Sequence, residues 1–176
     1  MRRGMEITRS GAATLKEVKE IERHFHNYER WFGLSGQQDP AIQVAEPILT
    51  CKTPFRIDAG NDTWGNWVQI LGINDTPAQA GMLYFDIHRI NFTGFETNNS
   101  THGIQIASGA SGLAALAAGT YTEFILRTGG GNTFIGLIDI MDKRIPVGTK
   151  MWIRNWAHGV VTSWLDFYIG LHEYPE

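Results

Sequence analysis

The sequence WLDFYIGLHEY, residues 164–174, alternates between apolar and polar side chains with a period of two. Its apolar residues fall on one side of an extended chain: Leu165, Phe167, Ile169 and Leu171. Its polar and aromatic residues fall on the other side: Asp166, Tyr168, His172 and Tyr174. Since successive side chains of a β-strand point to opposite faces, the pattern predicts a strand with one buried face and one solvated or paired face.

The same period of two recurs in the preceding part of the chain. We predict strands at 55–57, 67–73, 82–92, 102–107, 121–127, 133–140, 150–158 and 164–174. Long helical patterns between them are missing, so we expect antiparallel sheets instead of βαβ units. Eight short strands with loops of unequal length predict an all-β fold, an eight-stranded antiparallel jelly roll of two packed sheets. The stretch GLAALAA, residues 112–118, fits either a helical turn or a loop of small residues.

The first part of the chain has a different period. Between residues 13 and 32 apolar side chains recur at spacings of three and four, which predicts an amphipathic helix. They are Leu15, Val18, Ile21, Phe25, Tyr28 and Phe32. Thr14 and Glu17 have the spacing of a capping box at the helix start, and Gly33 stands where a C-cap glycine is expected.

An extended connector is predicted after this helix, because residues 34–54 contain Pro40, Pro47 and Pro54 and little periodicity. We therefore divide the chain into an N-terminal arm, residues 1–54, and a jelly-roll domain, residues 55–176. The first 30 residues are net basic and the remainder is net acidic. This contrast is typical of an arm that docks on another surface.

Composition narrows the classes of function. The chain has 176 residues, of which 43% are hydrophobic, and this is enough for the core of one domain. The formal net charge of -3 gives no overall support for a nucleic-acid partner. No run approaches the roughly 18 apolar residues of a membrane-spanning helix, so we expect no membrane association. The single cysteine, Cys51, excludes an intramolecular disulfide.

The six histidines raise the question of a metal site. His24 and His26 are the closest pair, but positions two apart on a helix point in nearly opposite directions. The ligand side chains scattered over the predicted strands include Asp86, His88, His102, His158 and His172. They share no recognised ligand spacing, and strand alternation places them on polar outer faces. We therefore expect no metal, no cofactor and no catalytic constellation, in a chain that is not an enzyme.

Aromatic side chains are concentrated on one predicted strand. Trp152 and Trp156 lie four residues apart with Arg154 between them, so all three share one face. Tryptophan and arginine are favoured at the buried centres of interfaces, and flat indole rings also stack on sugars. The face fits a subunit interface, an ordinary part of the core, or a glycan platform that includes Trp64 or Trp67.

The C-terminal third of the chain resembles a known family. The segment DKRIPVGTKMWIR, residues 142–154, and the strand LDFYIGLHEY, residues 165–174, resemble the ending of jelly-roll virion proteins of tailed bacteriophages. In that family a hairpin with the sequence IPxGTK is followed by a strand, and a strand similar to DFYIGLHEY is the last strand of the sheet. The resemblance implies a capsid decoration (cement) protein, or a related head or tail component, whose jelly roll forms an oligomer, often a trimer.

Sequence and resemblance together predict a non-enzymatic virion protein that is assembled in the host cytoplasm and binds adjoining capsomers. Its expected partners are further copies of itself and the major capsid protein or another virion protein. The expected contacts are Leu15, Val18, Ile21, Phe25, Tyr28, Phe32, Trp152, Arg154 and Trp156. The alternative is a carbohydrate-binding or host-receptor-binding module with a glycan partner; an enzyme on a jelly roll would require a metal.

Overall fold

The computed structural model describes residues 30–34, 49–50, 53–72, 81–97, 99–129, 136–140, 142–159 and 163–175. These residues form eleven strands and one helix. The strands are β1 Arg30–Leu34, β2 Leu49–Thr50, β3 Phe55–Asn61, β4 Val68–Leu71, β5 Tyr84–Phe95, β6 Thr101–Ser108, β7 Tyr121–Arg127, β8 Gly136–Asp139, β9 Ile145–Pro146, β10 Met151–Ala157 and β11 Trp164–Tyr174. The helix, α1, is Gly112–Ala118. The strands belong to one curled mixed sheet, so the all-β prediction is confirmed.

The last strand, β11, organises one half of the sheet. One of its edges pairs with β5 from Leu165 to Tyr174, and the other edge pairs with β3 and β1 in turn. The predicted alternation of burial is confirmed from Trp164 to Ile169, whereas residues 170–174 are buried on both faces. The apolar residues of the strand are fully buried: Leu165, Phe167, Ile169 and Leu171. β5 in turn pairs with the short strands β8 and β9.

The strand β3 connects this half of the sheet to the other. Its first residues pair antiparallel with β11, and its last three, Ala59 to Asn61, pair parallel with β10. The prediction of purely antiparallel sheets is therefore wrong at the β3–β10 pair. The physical reason is that β10 and β11 run in opposite directions, so a strand antiparallel to β11 must run parallel to β10.

The second half of the sheet is built on β10, which pairs with β6 along its whole length and with β4 on its other edge. β6 then pairs with β7. The sheet curls around one apolar core, to which both halves contribute. Its largest fully buried side chains are Phe55, Phe85, Phe92, Phe167, Ile57, Ile70, Leu71, Ile87, Ile90, Ile104, Ile106 and Met151.

The segment 112–118, for which helix and loop were both compatible with the sequence, is the helix α1. Ser111 is its N-cap, and its hydroxyl accepts a hydrogen bond from the Ala114 backbone nitrogen at 3.1 Å. Gly119 ends the helix in the left-handed conformation, with φ of 69°. These caps satisfy backbone groups at both ends, which is why such a short helix forms between two strands.

The prediction of an N-terminal helix over residues 13–32 is wrong for residues 30–32. Arg30 to Phe32 lie in the strand β1, which pairs with β11, and Gly33 belongs to the same strand instead of capping a helix. Phe32 gains burial in the core opposite Ile169, and Gly33 leaves room for the Thr53 carbonyl and the Tyr168 ring. Packing against β11 thus overrides the helical spacing. The rest of the predicted helix, residues 13–29, lies outside the described residues.

Each of the eight predicted strands overlaps a strand of the structure, although residue 73 of one and residues 133–135 of another lie outside the described residues. The predicted number of strands, eight, is too low, because β1, β2 and β9 were not predicted. β2 lies within the segment predicted as an extended connector, and β9 consists of two residues beside β5. Strands of two residues are too short for a period of two to be recognised.

Candidate functional site

The outer face of β10 carries a cluster of aromatic rings around one arginine. Along β10 the buried side chains alternate with the half-buried Trp152, Arg154 and Trp156, which therefore share the outer face. Trp64 and Trp67, from the loop between β3 and β4, extend the cluster. We call these five residues the aromatic face.

Arg154 lies at the centre of the aromatic face. Its guanidinium carbon is 4.7 Å from the centroid of the Trp64 ring and 4.4 Å from that of Trp67. Its Nε donates a hydrogen bond to Gln105 Oε1 at 2.7 Å, and Gln105 Nε2 donates to Glu123 Oε2 at 2.6 Å. Burial lowers the pKa of the Arg154 guanidinium, but its ordinary value is so high that the group stays charged at neutral pH. The arginine is thus held by two rings and a polar chain.

Two glycines explain how the large indole rings fit against the backbone. The Trp156 ring lies directly over Gly103, and the Trp67 ring lies over Gly112 at the start of α1. A β-carbon at either glycine would overlap the ring. Trp152 is held differently, because its Nε1 donates to the Gly109 carbonyl at 3.0 Å. The aromatic face is therefore a packed surface whose rings have fixed positions.

A cleft of about 260 Å³ opens at one end of the aromatic face. The Trp64 and Trp156 rings meet nearly at right angles, with centroids 6.3 Å apart, and form its walls. Its polar lining comes from Asp62, Thr63 and His158. Asp62 Oδ1 lies 2.7 Å from His158 Nδ1 and accepts a hydrogen bond from the Gly159 backbone nitrogen at 3.2 Å. The cleft thus combines flat apolar walls with an exposed carboxylate and imidazole.

A second cluster lies across the β5–β11 pair. Asp86 and His172 are opposite each other in the register, and ligand atoms of Asp86, His88 and His172 lie within 4.8 Å of one another. The two imidazole rings are stacked, with centroids 4.0 Å apart and an interplanar angle of 19°. We call these three residues the Asp–His cluster. Within the described part of the chain it is the arrangement whose donor set suits a metal ion.

Tyr174 completes the surroundings of the Asp–His cluster. Its hydroxyl donates to Asp86 Oδ2 at 2.6 Å, and the Arg144 guanidinium carbon lies 3.8 Å from the centroid of its ring. Burial raises the pKa of Asp86, and burial together with Asp86 raises the pKa of Tyr174 to about 12. The tyrosine is therefore a hydroxyl donor at neutral pH.

The structure brings together some predicted residues and separates others. Trp152, Arg154 and Trp156 share one face, whereas Phe32 lies in the core on β1. The remaining predicted contact residues lie outside the described residues: Leu15, Val18, Ile21, Phe25 and Tyr28. His102 and His158 lie apart from the Asp–His cluster, next to Asn155 and Asp62 respectively.

Sequence reasoning missed the Asp–His cluster, because ligand spacing along the chain does not report contacts between strands. Asp86 and His172 lie on the strand faces opposite the apolar core residues, but the predicted outer faces are not solvated there, because Asp86, His88 and His172 are buried. The outer-face prediction is wrong for His102, which is buried on the inner face of β6. The missing information was the pairing of these two strands. Gln105, Glu123 and Gly103 were also missed, because their roles depend on the neighbours that β6 and β7 supply to β10.

Comparison of the chain with models of known protein families, with curated protein sequences and with solved structures gave no match. Within the described residues, the helix α1 lacks the length and apolar character of a membrane-spanning helix.

Proposed function

We propose that the chain is a non-enzymatic structural protein of a tailed-phage virion, a decoration protein that self-associates and binds the capsid surface. The proposal rests on the resemblance of residues 142–154 and 165–174 to jelly-roll virion proteins, and it includes that jelly-roll topology. It places the chain in the virion, after assembly in the host cytoplasm, with further copies of itself and the major capsid protein as partners. The resemblance implies an oligomer, often a trimer.

The observation that carries the self-association step is the edge strand β7. In the described part of the chain β7 pairs with β6 alone. Its outward side chains are all exposed, and they include Ile125, with 67% of its surface accessible, and Tyr121, with 41%. An edge strand with exposed apolar side chains is a site for pairing with another chain unless it is covered. A second copy of the same chain is the occupant that this proposal assigns to the edge.

The arm supplies the capsid contact in this proposal. Its apolar residues at the helical spacing are Leu15, Val18, Ile21, Phe25 and Tyr28, which this proposal assigns to the contact. Phe32 packs into the core of its own chain on β1, so the arm is anchored to the β11 edge of the sheet. An anchored arm with a basic segment suits attachment to an acidic neighbouring surface.

Light scattering tests self-association. The full chain is expected to form an oligomer, and Ile125→Lys is expected to shift it to a monomer because a charge is placed at the paired edge. Leu113→Lys is the matched control, since Leu113 is equally apolar and 69% exposed but lies on α1. Circular dichroism checks that both variants are folded. A monomeric full chain, or an Ile125→Lys oligomer of unchanged mass, overturns the self-association step.

The virion location has a separate test. In purified virions of the phage that encodes the chain, quantitative mass spectrometry is expected to find it in a fixed ratio to the major capsid protein. Removing residues 1–29 is expected to abolish cosedimentation with capsids that lack the protein. A chain that is absent from the virions overturns the proposal, whatever its mass in solution.

A glycan-binding module is the second candidate, and the cleft between Trp64 and Trp156 favours it. Perpendicular indole walls offer stacking surface for a sugar ring, and Asp62 with His158 offers hydrogen bonds to its hydroxyls. A panel of neutral and acidic oligosaccharides is then expected to quench tryptophan fluorescence. Trp64→Ala is expected to abolish the quenching, whereas Trp152→Ala, outside the cleft lining, is expected to preserve it. Unchanged fluorescence with every oligosaccharide overturns this candidate.

A further inference from the structure

We propose that Asp86, His88 and His172 form a binding site for a divalent transition-metal ion, with Zn²⁺ as the best match. The three side chains come from neighbouring strands, β5 and β11, are all buried, and present their ligand atoms within 4.8 Å of one another. The inference does not depend on the proposed virion function.

The donor set fits the chemistry of such an ion. Two imidazoles and one carboxylate bind Zn²⁺, Co²⁺ and Ni²⁺, and they leave a coordination position for water. Ligands at about 2.1 Å from a tetrahedral ion lie about 3.4 Å from one another, so the ligand atoms of the cluster move together by little more than 1 Å. The stacked rings of His88 and His172 turn until one nitrogen of each points at the ion.

The surroundings of Asp86 give an independent reason for a cation. Its Oδ2 accepts the Tyr174 hydroxyl at 2.6 Å, whereas its Oδ1 is buried and has no hydrogen-bond partner among the described residues. A buried carboxylate oxygen without a partner costs free energy, and a metal ion removes this cost. Oδ1 is therefore the ligand atom, and Tyr174 is a positioning residue that holds the carboxylate from its other oxygen.

The position of the site indicates a structural role. β5 and β11 are the two longest strands, and they are paired over ten residue positions of β11. An ion held by both strands cross-links the start of β5 to the end of β11. Because the ion binds the folded chain, it raises the unfolding temperature in proportion to the logarithm of its concentration above the dissociation constant.

Calorimetric titration of the chelator-treated full chain with ZnCl₂ tests the proposal. One ion per chain is expected, together with a higher melting temperature. Asp86→Asn and His172→Asn are each expected to weaken the affinity at least tenfold. His158→Asn is the matched control, because His158 is an exposed histidine beside an aspartate in a different part of the sheet. His24→Asn/His26→Asn is a second control, which removes the histidine pair of the arm; both controls are expected to keep the wild-type affinity.

X-ray absorption spectroscopy of the zinc-loaded His24→Asn/His26→Asn variant gives a result that does not depend on how well the cluster variants fold. Two imidazoles and oxygen ligands are expected around zinc. Absence of binding to the wild-type chain, loss of binding in either control, or a coordination shell without imidazole overturns the proposal.

Discussion

His102 and Asn155 face each other inside the apolar core, with His102 Nδ1 and Asn155 Oδ1 3.2 Å apart. Both residues are fully buried, on the inner faces of the paired strands β6 and β10. His102 Nε2 and Asn155 Nδ2 have no hydrogen-bond partner among the described residues. The two residues are thus a buried polar pair in which some hydrogen-bonding groups have no partner. The free energy that this burial costs depends on whether the imidazole is charged.

Acid is expected to destabilise the fold through His102. Burial lowers the pKa of this imidazole, and its neighbours in the register, Ala157 and Leu126, carry no charge. Between the lowered folded pKa and the unfolded value of about 6.5, the unfolded chain binds more protons than the folded one. Stability is therefore highest above about pH 6.5 and falls, as pH decreases through this window, by up to about 1.4 kcal/mol per pH unit.

Urea unfolding at a series of pH values measures this loss. The informative quantity is the difference between wild type and His102→Gln, since other groups titrate equally in both. Wild type is expected to lose stability relative to His102→Gln as the pH falls below about 6.5. Parallel curves for wild type and His102→Gln would show that burial of His102 does not govern acid sensitivity.

Gly103→Ala is expected to displace the Trp156 ring and to destabilise the fold. The new methyl group overlaps the indole that lies on Gly103, and overpacking of this kind costs about 1–3 kcal/mol. Gly94→Ala in β5 is the control, because a β-carbon there meets its nearest atom, in the Trp164 ring, at 3.3 Å. Thermal unfolding and tryptophan fluorescence check the comparison; an unperturbed Gly103→Ala protein contradicts the packing described for Trp156.

The strands could be predicted from the sequence because burial of one face requires a period of two. Leu165 to Leu171 alternate regularly, and the β11 boundaries agree with the prediction. Trp31 and Phe32 are different, since they continue the helical spacing from Tyr28 and also suit a strand. These residues form a strand instead of a helix because β11 offers an edge with which they can pair. Such an edge exists only in the folded sheet, so the local sequence does not show it.

The candidate sites could be predicted only in part, for the same reason. A shared face for Trp152, Arg154 and Trp156 follows from their spacing on one strand. The Asp–His cluster needs the register of two strands, one near the middle of the chain and one in its last segment. Local patterns do not contain that register, although they do predict that Asp86 and His172 lie on the strand faces opposite the apolar residues.

Replacing Arg154 is expected to loosen the aromatic face. Arg154→Met keeps much of the side-chain volume but removes the cation between Trp64 and Trp67 and the hydrogen bond to Gln105, so we expect a loss of about 1–3 kcal/mol. Arg56→Met is the comparison, because Arg56 lies over one tryptophan ring, Trp164, and its side chain is exposed. Its guanidinium also donates two hydrogen bonds to Asp166, and solvent screens that pair, so we expect a smaller loss than for Arg154→Met. Equal losses in urea unfolding for the two variants would contradict a special role for burial between two rings.

Tyr174→Phe is expected to weaken zinc binding without removing a ligand. The hydroxyl holds Asp86 Oδ2 and so leaves Oδ1 as the ligand atom of the proposed site. Loss of such a supporting hydrogen bond reduces metal affinity about 10–100-fold. The aromatic ring remains, so its contact with Arg144 is preserved. Tyr168→Phe is the control, because it removes a hydroxyl from the same strand away from Asp86. Calorimetric titration separates the two variants. If Tyr174→Phe binds zinc with wild-type affinity, the strand backbone alone orients the Asp86 carboxylate. If binding is weaker in Tyr174→Phe but not in Tyr168→Phe, the Tyr174 hydroxyl orients it.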